Sequence, residues 1–193
     1  MLFAIDKALS PTKHKRRKHK RRKIDDINYV VVHRTIGSTI DESIAEFKKV
    51  KKFQAGWYTG GIYPYHFFLP LYGDPIQCLP LTCVAPAALR TLNQQGIHVA
   101  LAGDFRKQAP GGGQLIKLKH LVTSLNNAFN AELEIIGHTE TPLAHLEGSK
   151  DPSKVCPGKY LDLNDLRLYA VLHQPNLCEL APVDGLKRAG YIV

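Results

Sequence analysis

No stretch of this sequence approaches the ~20 consecutive apolar residues that a membrane-spanning helix needs. The apolar opening, Met1 to Ile5, is too short for the apolar region of a secretory signal, and no small-residue cleavage site follows it. The protein is therefore expected to be made in the cytosol without a standard export signal. Cysteine is scarce, at four in 193 residues, which excludes a disulfide-stapled scaffold. Cys78 and Cys83 form a C-x4-C pair without a matching second pair, and they read as two buried thiols in preference to a metal site. No internal repeat is present. Surplus charge is also missing from most of the chain, despite a net charge of +9. Lys13 to Lys23 reads KHKRRKHKRRK, nine Lys or Arg in eleven positions, and removing those nine from 26 leaves 17 basic residues against 17 acidic ones. The charge belongs to a tail. That run has no aromatic residue for base stacking, which argues against sequence-specific nucleic-acid recognition. Salt-sensitive attraction to a polyanion or an anionic surface stays open, beside the plainer reading of a solvated arm.

What is present suits one globular domain: 44% apolar and 22% charged residues in a chain long enough for a sizeable core. Residues 1–26 repel one another and lack an apolar period, so a disordered arm is expected there. Ile27 to Val32 is a β-branched and aromatic run that ends at His33 and reads as a buried strand. Thr39 and Glu42 have capping-box spacing. Ile40, Ile44, Phe47, Val50 and Phe53 then predict a helix with one buried face, broken by Gly56, Gly60 and Gly61. Tyr65 to Leu69 and Ile76 to Leu79 read as strands around a Gly73-Asp74-Pro75 turn. Ile97 to Ala102 is a further strand, closed by Gly103-Asp104. After a Pro-Gly-rich loop, Leu115, Leu118, Leu121, Val122, Leu125 and Phe129 share a helical face. Leu133 to Ile136 is a short strand delivering Gly137-His138, and Leu163, Leu166 and Ala170 mark a final helix. Strands interleaved with helices predict a single α/β domain with a central mixed sheet over residues 27–172, followed by a C-terminal extension, 173–193, of unassigned role.

Three residues stand where chemistry is usually built. His33 is placed at the end of the first strand, His138 just beyond a late strand, and Cys156 opens a Cys-Pro-Gly turn; such positions face loops mounted on a rigid sheet. Two imidazoles and a thiolate suit zinc and leave a fourth position for water. The three are distant in sequence, so spacing alone leaves each histidine equally readable as a packed or surface residue.

Read together, the segments Val-Val-Val-His33, Gly56-Trp57, Tyr65-His66-Phe67, Gly96-Ile97 to Gly103-Asp104-Phe105, Gly137-His138-Thr139-Glu140 and Lys154-Val155-Cys156-Pro157-Gly158 resemble, in order, the N-acetylmuramoyl-L-alanine amidase family. That family includes phage amidase lysozymes and peptidoglycan recognition proteins. The resemblance covers roughly Ile27 to Leu168. It implies a mixed β-sheet with flanking helices, a zinc in a surface groove and bacterial peptidoglycan as the substrate. His33, His138 and Cys156 match the family's zinc ligands, Tyr65 matches a tyrosine beside the metal in active members, and Lys154 matches the lysine of the phage enzymes. The implied reaction is hydrolysis of the amide between N-acetylmuramic acid and L-alanine, with Tyr65 and Lys154 stabilising the developing oxyanion. The implied setting is host lysis, virion entry or wall remodelling by a monomer. At Cys156 the chain resembles the phage and recognition-protein branch, because amidases that recycle cytosolic wall fragments usually carry an acidic ligand there.

The chain also departs from the pattern. Many relatives have a His-Ala segment before the Asn of the groove wall; here Cys83-Val84-Ala85 to Asn93 holds no histidine. The loop from His138 to Cys156 is longer than in compact phage enzymes, and His145 within it reads as a surface residue. Glu140 reads as a solvated carboxylate before a ligand-orienting one, His98 as packing or groove lining, and His66, adjacent to Tyr65, as a core residue on the opposite sheet face. Two other functions compete: a recognition module that holds peptidoglycan without cutting it, and a polyanion binder acting through the arm. Non-cutting members typically lose a zinc ligand, most often the cysteine, whereas all three positions are filled here.

Overall fold

Five short strands make one mixed sheet in the order β3-β2-β4-β1-β5. They are β1 (Tyr29–Thr35), β2 (Phe67–Leu69), β3 (Ile76–Gln77), β4 (Gly96–Ala102) and β5 (Glu134–Gly137). β1 lies between β4 and β5 and is parallel to both, β2 is parallel to β4, and only β3 runs antiparallel. The computed structural model describes residues 20–49, 64–88, 90–140, 155–173, 187 and 190–191. Gly56, Trp57, His145, Lys154, Cys178 and most of the arm and C-terminal extension lie outside the described residues.

Alternation along the central strands divides the sheet into two faces. Val30, Val32, Phe67, Leu69, Ile97, Val99 and Leu101 enter the main core, where they meet Leu118, Leu121, Val122, Leu125 and Phe129 of one helix and Leu163, Leu166 and Ala170 of another. Those helices, α3 (Gly112–Phe129) and α4 (Leu163–Leu172), follow the expected periodicity; Asp162 caps α4 by accepting from the Asn164 amide. The second face carries Val31, His33, Phe68, His98 and Ala100, which share it through the register Val31↔His98, His33↔Ala100 and Phe68↔Ala100. Ile40, at the start of α1 (Ile40–Lys49), packs on that face beside Phe68 and Ala100. The capping box forms as its spacing predicts: Glu42 Oε2 accepts from the Thr39 amide at 3.3 Å, and also from the Ser38 amide at 2.7 Å, while Thr39 Oγ1 accepts from the Glu42 amide at 3.2 Å. A short helix not anticipated from the sequence, α2 (Arg90–Gln95), leads directly into β4. Cys83 is buried and Cys78 half-buried.

The arm expected to run to residue 26 ends earlier. Ile24 is buried in the main core, and Arg21 forms a β-bridge with Cys83. The Arg22 side chain is buried and donates from Nε to Leu81 O at 2.8 Å and from Nη1 to Gln94 O at 2.9 Å and Gly96 O at 2.7 Å. Burial lowers its pKa to about 10, with Cys83 and Asp26 acting in the opposite direction. A run that reads as uniformly solvated thus has a structural end, because a guanidinium's fork can satisfy several carbonyls that loops leave open. Deleting residues 1–23 is therefore expected to lower the unfolding free energy by on the order of 3 kcal/mol, since buried carbonyls lose a charged donor. Deleting residues 1–19 leaves these contacts in place and should cost far less. Urea denaturation of the two truncations checks this, and equal losses would contradict the role given to Arg22.

Candidate metal centre

His33 sits within β1, not at its end. The strand continues through Arg34 and Thr35, held by β4 as far as Thr35↔Ala102. The side chain is fully buried on the second face, with its ring 4.7 Å from that of His138 and 4.8 Å from that of Tyr65. His138 follows the last residue of β5 and opens a single 3-10 turn, His138–Glu140. Cys156 brings its Sγ to 3.9 Å from His33 Nδ1. Among the described residues this is the one grouping of three possible metal-ligating side chains, with all donor atoms within 4.8 Å of one another.

Local contacts fix the two loop-borne members. Thr139 ties them together: its amide and Oγ1 donate to Cys156 O at 3.0 and 2.8 Å, and the Cys156 amide donates back to Oγ1 at 3.3 Å. Arg34 Nε donates to Val155 O at 3.4 Å while its Nη1 lies 3.3 Å from Asp104, whose pKa the Arg106 hydrogen bond pulls down to about 2. The turn after Cys156 presses on the Phe105 backbone. Gly158 has φ +126°, and a Cβ there would meet the Phe105 carbonyl carbon at 2.4 Å, so only glycine lets the turn close.

The electrostatics suit a cation. Burial, then His138 and His98, hold the His33 pKa well below the usual histidine range, so its imidazole is neutral with a lone pair to offer. Burial pushes the Cys156 thiol up, opposed by Arg34. A divalent ion would displace that proton and supply the charge that the buried site otherwise lacks. Zinc bonds of ~2.0–2.3 Å put tetrahedral neighbours roughly 3.5 Å apart, so the widest donor pair needs to contract by about 1 Å to close on the ion. The residues fit zinc in kind, number and approximate spacing.

Other residues singled out in the sequence are placed as follows. Tyr65 is buried, with its ring against that of His33. It precedes β2 in a bend and does not belong to the strand, so simple alternation fails there. His66 is buried as expected but on the site's own face, stacked on His98 at 5.8 Å, contrary to the opposite-face reading. His98 is fully buried and not a groove residue; its Nδ1 lies 2.9 Å from His33 Nε2. Glu140 accepts from the Gly137 amide at 2.7 Å and pairs with Arg167, which braces the turn bearing His138 without touching a ligand's side chain in these bonds. A groove of about 350 Å³ opens beside Cys156, lined in part by Thr139, Lys159, Asn164 and Arg167. Arg34 carried no sequence signal, and Thr139 stood out only as part of the Gly137-to-Glu140 segment, because their role lies in bridging segments distant along the chain.

Residues 23–159 match the family model described as N-acetylmuramoyl-L-alanine amidase. Among solved structures, the chain is similar to the endolysin N-acetylmuramoyl-L-alanine amidase LysCS from Clostridium intestinale URNW, at 20% identity and TM-score 0.56 over 78% of this chain and 90% of that one. It is similar to the Ph2119 endolysin from Thermus scotoductus MAT2119 bacteriophage Ph2119, at 21% identity and TM-score 0.54 over 80% and 91%. It is also similar to peptidoglycan recognition protein-LE, solved in complex with tracheal cytotoxin, at 13% identity and TM-score 0.60 over 86% and 92%. At these identities the structural likeness shows a shared fold. No curated protein sequence matches.

Proposed function

The chain belongs to the N-acetylmuramoyl-L-alanine amidase family, and from that premise we propose that it is a zinc-dependent hydrolase cleaving the amide between N-acetylmuramic acid and L-alanine in bacterial peptidoglycan. The observation that carries this reading is the convergence of His33, His138 and Cys156, with donor atoms within 4.8 Å. Zinc, when bound, supplies Lewis acidity that polarises the amide carbonyl and brings the pKa of water to ~7. The chain's own residues do the rest. His33 and His138 offer neutral imidazole nitrogens, and Cys156 gives up its thiol proton to become the anionic donor. Tyr65, against His33, presents a hydroxyl that donates to the carbonyl oxygen as that oxygen gains negative charge. Lys154, two residues before Cys156, adds a positive charge to the same oxygen. The groove beside Cys156, with Lys159 and Arg167 on its wall, receives the peptide portion of the substrate.

A relative such as peptidoglycan recognition protein-LE raises the reading of a module that holds such fragments without cutting them. The complete ligand set and the tyrosine beside it favour hydrolysis. We assign the part of the basic run that precedes Arg21 to recruitment at an anionic surface. This attraction acts over the ~8 Å Debye length of physiological salt and weakens as ionic strength rises.

Digestion of purified peptidoglycan tests the bond assignment. New amino termini on L-alanine with no new reducing sugar ends are expected. Reducing ends would mean a glycosidase, and cleavage between peptide residues an endopeptidase.

A further inference from the structure

The buried histidine behind His33 carries an inference that rests on the zinc reading but reaches a different residue. We propose that His98 is a positioning residue that sets the tautomer of His33, so that the His33 Nδ1 lone pair points at the metal position. The argument begins at the far end of the contact chain. His98 Nε2 lies 3.2 Å from Leu92 O, and a carbonyl oxygen can only accept, so Nε2 carries a proton. A carbonyl oxygen has two lone pairs, so Leu92 O can take this donor beside any backbone amide it also accepts.

His98 is fully buried and, among the described residues, has no carboxylate as a hydrogen-bonding partner, and Arg22 adds positive charge nearby. A second proton on its ring would be a buried, unpaired charge, so the neutral form holds. Its Nδ1 is then a lone pair. The 2.9 Å contact from Nδ1 to His33 Nε2 is a hydrogen bond only if His33 donates, which fixes the His33 proton on Nε2. His33 Nδ1, the nitrogen 3.9 Å from Cys156 Sγ, is left unprotonated and faces the other two donors.

The packing around His98 holds this arrangement in place. Its backbone amide donates to His66 Nδ1 at 3.0 Å, and the two rings stack with 13° between their planes. Gly96 makes the contact with α2 possible, since a Cβ there would meet Leu92 O at 2.6 Å and His98 Nε2 at 3.3 Å. Arg22 binds the Gly96 carbonyl and so anchors the start of the same strand. Without His98, the His33 ring would keep its packing against Tyr65 and His138 but lose the acceptor that holds its proton on Nε2.

Two measurements test the proposal. In metal-free protein with 15N-labelled histidine, long-range nitrogen–proton correlations should place the His33 proton and the His98 proton both on Nε2. Zinc affinity by chelator competition should fall about 10–100-fold in His98→Leu, the usual loss when a ligand's hydrogen-bond partner is removed. His98→Asn, whose side-chain carbonyl can stand near the Nδ1 position and accept from His33, should recover most of that loss. A His33 proton on Nδ1 would overturn the proposal. So would wild-type zinc affinity in folded His98→Leu, or His98→Asn binding no better than His98→Leu. If His98→Leu does not fold, the proton positions in the wild-type protein decide. Absence of zinc binding by the wild-type protein would refute the metal reading alone, because the proton positions are measured without metal.

Discussion

Cys156→Ser should retain its fold and lose most of its zinc and nearly all of its turnover. The fold should survive because the contacts that shape this turn use the Cys156 backbone, which serine preserves: Thr139 bonds to its amide and carbonyl. Gly158 and its packing on Phe105 are likewise untouched. What disappears is the one anionic donor of the set. The histidine pair alone leaves the ion with two neutral ligands and no charge compensation in a buried site. The loss in zinc affinity should exceed the ~10–100-fold typical of removing only a ligand's hydrogen-bond partner. Elemental analysis under chelator competition, with circular dichroism on the same sample, checks both halves. Stoichiometric zinc in the folded variant would remove Cys156 from the site.

The second large effect belongs to residues proposed to act on the substrate and not on the metal. Tyr65→Phe removes one oxygen and keeps the ring that packs 4.8 Å from His33, so zinc content and folding should not change. Losing one preorganised donor to an oxyanion typically lowers turnover ~10²–10³-fold, about 2.7–4 kcal/mol, and a loss of that size is expected. Lys154→Ala should behave in the same way: normal zinc, near-normal substrate binding and strongly reduced turnover. The contrasting forecast treats Tyr65 as a packing residue beside Phe68 and Ala100, and Lys154 as a solvated charge. Under it, Tyr65→Phe costs little and Lys154→Ala almost nothing. Zinc content, binding and turnover measured on one preparation of each variant separate the two. Full activity in both would place these residues outside the chemistry.

Where local chemistry decides local structure, the sequence was a sufficient guide. The Thr39–Glu42 capping box, the apolar face of α3 and the delivery of His138 by β5 all depend on short-range spacing, and all formed as read. The misreadings arise where distant segments decide. β1 runs on through the polar pair Arg34 and Thr35 because β4 offers it partners up to Ala102. The bend at Tyr65 and His66 breaks the alternation that would have separated them across the sheet. Residues 20–26 look like arm by charge, but Arg22 finds carbonyls from 59 or more positions away. The significance of His98 depends on cross-strand register, which puts it on the face of His33. No periodicity within a single segment reveals that.

Zinc titration into chelator-stripped protein, with the products from purified peptidoglycan followed by mass spectrometry, tests the central claim most directly. Free stem peptides beginning with L-alanine should appear in proportion to zinc added and reach a plateau at about one ion per chain, the capacity of a single three-ligand centre. Release of the same peptides by the metal-free protein, or zinc bound at that ratio with no amide cleaved, would contradict it.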